Sequence, residues 1–139
     1  MKTFEELKED LLERAKKHNA CQDGYRMELN AKSKQDLLKA ITDNWYWVLS
    51  TSKMIDANYL EENFTEEELT EAGIYTRKEH TSNAKSFACG SATVEAYDNS
   101  YVEDCTGNIN TVSDHGIVKD YYNHKIYIKK GKFEIIEIE

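Results

Sequence analysis

The chain has 139 residues, a formal net charge of −8, three cysteines and no proline. That length confines it to one domain or two small ones, and no apolar run reaches the roughly 18 residues that a membrane-spanning helix needs. The acidity is shared, 12 basic against 17 acidic residues over 1–80 and 6 against 9 over 81–139. It excludes a nonspecific binder of duplex DNA or RNA, which neutralises phosphates with basic clusters, and a binder of anionic membranes. The opening MKTFEELKEDLL is too acidic for a secretory signal. Three cysteines without a CxxC pair fit a reducing compartment, so the expected location is cytoplasmic.

Thr3 and Glu6 form a capping box, and the helix they open carries Phe4, Leu7, Leu11, Leu12 and Ala15 on one face. Acids at its start and Arg14, Lys16, Lys17 and His18 at its end match the helix dipole, and the pattern predicts a stop near Asn19. Gly24 marks a joint, followed by a short helical segment around Tyr25, Met27 and Leu29. Ser33 caps a second clear helix, with Leu37, Leu38, Ile41, Trp45, Val48 and Leu49 at helical spacing. Ser52 is the expected cap of a third helix over Met54, Ile55, Tyr59 and Leu60. Thr65 and Glu68 form another capping box, opening a turn that ends at Gly73. Residues 74–77 read as a short strand and HTSNAK, 80–85, as a linker.

From Gly90 the chain reads in units of eight: GSATVEAY, DNSYVEDC, TGNINTVS, DHGIVKDY and YNHKIYIK, ending at Lys129. The fifth position of each unit is Val94, Val102, Asn110, Val118 and Ile126, four of them β-branched and apolar, as a buried strand position requires. Gly, Asn and Asp between these positions are turn formers. Two architectures share the period. A meander pairs consecutive strands as hairpins. A β-solenoid stacks every second unit, setting Cys89 and Cys105, sixteen residues apart, on adjacent strands. Column identity favours the solenoid. Asn110 interrupts the apolar column, as a stacked, hydrogen-bonded asparagine or as a bulge. The final run FEIIEI, from Phe133 to Ile138, either closes the sheet or offers an edge for a second copy.

These octads resemble the tandem SATVEAYDNSYV-type repeats at the C-terminus of small uncharacterised proteins from gut Bacteroidetes and their phages and integrative elements. Those proteins carry an N-terminal helical segment similar to FEELKEDLLERAKKHNACQDGY at 4–25. The resemblance covers most of the chain and implies a mobile-element origin and a solenoid-like tail. It implies no activity.

The fold expected is α+β: a helical domain of three or four helices over 1–80, then a β-solenoid or β-meander of octapeptide repeats over 81–139. No cofactor is implied. His80, Cys89, Cys105, His115 and His124 include no pair at metal-ligand spacing, so no metal site is expected. The absence of GxSxG, P-loop or Cys–His signatures speaks against an enzyme. Two surfaces remain as binding candidates. Seven acids and no base lie between Asp56 and Ala72, giving an acidic ridge of Glu61, Glu62, Glu66, Glu67, Glu68 and Glu71. Its bland reading is a solvated helix face. Tyr97, Tyr101, Tyr121, Tyr122 and Tyr127 suggest a tyrosine face, since tyrosine supplies contact area at low entropy cost. The alternative is that some of them pack the helices onto the sheet. The function expected is non-catalytic binding of a macromolecule, a protein rather than duplex nucleic acid or membrane. The alternatives are an acidic anti-defence inhibitor that imitates nucleic acid before a CRISPR effector or nuclease, and a self-assembling structural protein.

Overall fold

The computed structural model describes residues 1–77, 79–82 and 84–129. The FEIIEI run at 133–138 lies outside them. The chain is α+β. Five α-helices come first: α1 (Phe4–Lys17), α2 (Gln22–Leu29), α3 (Lys34–Asp43), α4 (Ala57–Asn63) and α5 (Glu66–Glu71). A π-helical turn, Trp47–Thr51, separates α3 from α4. That is more helices than the three or four expected, because the short segments after Cys21 and Thr65 each form an α-helix; the apolar run after Ser33, in turn, leaves regular α-helix near Asn44.

The starts of these helices are written in side chains. Thr3 Oγ1 accepts the Glu6 amide while Glu6 Oε1 accepts that of Thr3, both at 3.2 Å. Thr65 and Glu68 repeat this reciprocal pairing at α5. Ser33 caps α3. α1 buries Leu7, Leu11 and Ala15, one residue per turn, and ends ahead of Asn19 at φ 58°. Ser52 does not cap the next helix. It donates to the Trp47 carbonyl at 2.9 Å and so closes the π-turn, while Asp56 Oδ1 takes the Tyr59 amide at 2.8 Å and caps α4.

Eight strands follow: β1 (Ile74–Tyr75), β2 (Glu79–Ser82), β3 (Lys85–Ala88), β4 (Thr93–Ala96), β5 (Tyr101–Asp104), β6 (Asn110–Val112), β7 (Ile117–Asp120) and β8 (Lys125–Tyr127). The expected linker at 80–85 is therefore largely strand, and sheet structure begins at Ile74. One sheet has the order β1-β3-β5-β7-β8 and the other β2-β4-β6. Consecutive strands alternate between sheets, and the one hairpin among the described residues is the antiparallel pair β7–β8. All other pairs are parallel. Lys85 faces Tyr101, Tyr101 faces Ile117, and Val94 faces Asn110, each a sixteen-residue offset.

Alternation along the strands then makes columns. Ser86, Val102 and Val118 share one inward column, and Ala88, Asp104 and Asp120 the next. With Ala92, Val94 and Ala96 they form a small core between the sheets. The outward face of β3 carries Phe87, which joins Cys89, Ile74 and the helical residues in the larger core. Trp45 packs against Phe87 with ring centroids 5.5 Å apart, and Tyr46 stacks on Tyr121 at 4.2 Å. The turns repeat as the strands do. Asp98 and Asp114 both adopt left-handed φ near 53°, and the His115 amide donates to the Asp98 carbonyl across them at 2.9 Å. At Gly116 a Cβ would stand 2.6 Å from the Ala96 carbonyl oxygen, so a side chain there would push the sheets apart.

Candidate binding surfaces and a buried pocket

The acidic ridge occupies α4 and α5, and part of it is already engaged. Glu61 pairs with Arg77, whose guanidinium holds its carboxyl below the usual range. Glu68 serves the Thr65 capping box and stands 3.6 Å from Lys34 Nζ. Glu62, Glu67 and Glu71 are exposed and have no ion-pair partner among the described residues. Glu66 is exposed and lines a groove of about 320 Å³ with Phe64, Leu69, Tyr75 and Arg77.

The five tyrosines occupy several environments. Tyr121 faces the helices, stacked on Tyr46 and donating to Glu103 Oε1 at 2.7 Å. Burial, then that hydrogen bond and the Glu103 charge, push its hydroxyl pKa up. Tyr101 shares an outward column with Lys85 and Ile117, and burial raises its pKa too. Tyr127 packs against the inter-sheet core. Tyr97 is half-buried at the turn after β4. Tyr122 is 67% exposed and lays its ring over Gly107, where a Cβ would meet it at 2.8 Å. The β half also exposes Ile109, Ile126 and Ile128, at 84%, 65% and 49%. Ile126 lies in β8, the last strand of its sheet among the described residues, and Ile128 follows it.

The thiols of Cys89 and Cys105 are free, and they follow register partners Ala88 and Asp104 on neighbouring strands. Burial raises both, Cys105 to about 11, which disfavours the thiolate form. His115 sits in the Asp98–Asp114 turn pair, and His124 is a left-handed turn residue at φ 55°. Among the described residues no three His, Cys, Asp or Glu side chains converge as a metal site would require.

Two features carry no motif in the sequence. One is a polar ladder in the inter-sheet core. Asp104 and Asp120, 0% and 1% exposed, are register partners. Asp120 accepts from the Asn123 amide and side chain at 2.9 Å and from Asn110 Nδ2 at 3.3 Å. Asn110 is thus the hydrogen-bonded form of the interrupted column, and the register with Val94 is kept. Asp104 Oδ1 accepts the Thr106 amide, while Oδ2 has no partner at full hydrogen-bond geometry among the described residues. Burial, opposed by bonds from Thr106 and Asn110, raises its pKa, and the Asp120 charge adds to that.

The other is an apolar cavity of about 220 Å³ among α1, α2, α3 and the π-turn, with Glu28 in its wall. Glu28 is 6% exposed, and burial pushes its carboxyl up to about 8. The signal that could have found it is positional. Gly24 and Glu28, four residues apart, lie on one face of α2, so the face that packs inward carries the acid with it.

Compared with known protein families, curated proteins and solved structures, the chain matches none of them.

Proposed function

We propose that the chain is a non-catalytic protein-binding module, its strands wound as a short β-solenoid and its contact surface at the β8 end. The observation that carries this is the exposure of Ile126 in β8 and of Ile128 just after it, with Tyr122 exposed in the turn before that strand. Large apolar side chains exposed near one another mark interaction sites, and β8 is the last strand of its sheet among the described residues, the position at which a partner strand could add. The parallel sixteen-residue register and the alternation of strands between two sheets support the solenoid reading. The octad resemblance supports an origin in a mobile element.

The test is affinity capture from host lysate at low and high salt, with light scattering on the same sample, comparing the native chain with Ile126→Lys and Tyr122→Ser. A partner retained at high salt and lost with either variant supports the reading. A partner that ignores both variants overturns it, and a defined oligomer of this chain alone replaces it with self-assembly.

A second reading rests on Glu62, Glu67 and Glu71, unpaired and exposed on consecutive helices. In it the ridge imitates phosphates and occupies the basic channel of a nuclease. Binding would then fall steeply with salt. Reversal of Glu62, Glu67 and Glu71 to lysine is the clean variant, since Glu68 is committed to its helix cap.

A further inference from the structure

The Glu28 cavity is mostly apolar, with Asn44 and Cys21 as the other polar side chains in its lining. Ala15, Ala40, Met54 and Trp47 supply the walls, and Gly24 keeps its α2 side open. Glu28 Oε2 is buried and has no hydrogen-bond partner among the described residues. A carboxyl oxygen left so is costly unless something reaches it. Lys8 of α1 is the cation whose field acts on Glu28, yet its Nζ bonds the Ala31 carbonyl at 2.8 Å and forms no ion pair with Glu28. The wall opposite α2 is the π-helical turn, which presents Trp47 and Val48. Single π-turns recur at functional sites because they give up regular hydrogen bonding to hold side chains in a chosen place. A cavity, a buried acid oxygen without a hydrogen-bond partner among the described residues and an irregular helical turn therefore meet at one place.

We propose that this cavity binds a small primary amine with an apolar body, the ammonium seated on the Glu28 carboxylate and the body against Trp47. A water takes about 30 Å³ of liquid volume, so 220 Å³ admits a fragment of one ring or a short alkyl chain and excludes a peptide. The acid is largely protonated at neutral pH. An arriving ammonium converts it to the carboxylate, and the proton leaves to solvent. The net negative chain concentrates such cations near its surface. The site is separate from the β8 surface and stands whether or not that surface binds a protein.

The test uses the full chain and three amines, hexylamine, benzylamine and phenethylamine, with the matched alcohols as controls. Binding is read by calorimetry and by amide and indole shifts in heteronuclear NMR. The expected result is saturable binding of at least one amine in the range of about 0.1–1 mM, as fragment-sized ligands allow. Shifts should centre on Gly24, Ala40 and Trp47. Glu28→Gln, nearly isosteric, should retain the fold and weaken binding about tenfold or more, as removal of one partner of a buried ion pair does. Ala40→Leu should fill the cavity and abolish binding. Alcohols that bind as tightly as amines, an unchanged affinity in Glu28→Gln, shifts centred elsewhere, or no binding by any of the three amines would each overturn the proposal.

Discussion

The helical half and the β half bury different things. The helical core is built from long side chains, with Leu7, Leu11, Leu37, Leu60, Trp45 and Phe64 all at 1% exposure or less. The inter-sheet core is built from Ala88, Ala92, Ala96 and three valines, with Ser86, Asp104 and Asp120 closed in beside them. Hydrophobic transfer grows with buried area, so each helical residue contributes more than its β counterpart. The β half leans instead on the ladder of parallel hydrogen bonds and on stacked turns. One half is held by volume, the other by repetition.

That contrast can be broken at single residues. Leu37→Ala should destabilise the chain by about 3–4 kcal/mol, the usual result for a leucine in a packed core. Val102→Ala should lose roughly 2 kcal/mol, two methylene equivalents with a small cavity. Urea melts of both variants check the ranking, and equal losses would mean that the β core is as tightly packed as the helical one.

Next in size is Glu28. Its carboxyl holds a proton in the folded chain up to about pH 8, against an ordinary value of 4.5. Between those values the folded state keeps a proton that the unfolded chain has released, so stability falls as pH rises and levels off above about 8. Asp104, also raised, steepens the acidic part of the fall. Glu28→Gln should remove most of the slope, and Glu28→Leu should stabilise the chain at pH 8 by roughly 2 kcal/mol. Melting curves from pH 5 to 9 decide it; a slope unchanged in both variants would exclude Glu28 as its source.

Tyr46→Ala removes the ring stacked on Tyr121 and should lose about 1 kcal/mol, with most of the change read in the amides of β7 by hydrogen exchange. Smallest of all, the triple reversal of Glu62, Glu67 and Glu71 to lysine should alter stability by less than about 1 kcal/mol, because exposed charges interact weakly. A larger loss would mean that the ridge is structural.

How far these features could be read in advance follows the same division. Capping boxes at Thr3 and Thr65 and the cap at Ser33 are local, short-range chemistry, and they stand where the residues put them. The sixteen-residue offset between Lys85–Ala88 and Tyr101–Asp104 is twice the eight-residue spacing of apolar and turn-forming residues in the sequence. The π-turn at Trp47–Thr51 was not legible, since tertiary packing of Trp45 on Phe87 and the Ser52 bond to Trp47 decide it. Nor was the dispersal of the tyrosines, because facing depends on which sheet a strand joins. Glu28 was the least visible. A lone acid on an amphipathic helix reads as solvated until the neighbouring helices close over it.

The sixteen-residue offset also constrains how this chain can change in length. Deletion or duplication of sixteen residues within 85–120 returns each following strand to its own sheet with its inward side chains still inward. A change of eight would move every later strand into the opposite sheet, and an odd number would turn valines to solvent. A change in the gene's length that keeps this register therefore comes in steps of forty-eight nucleotides.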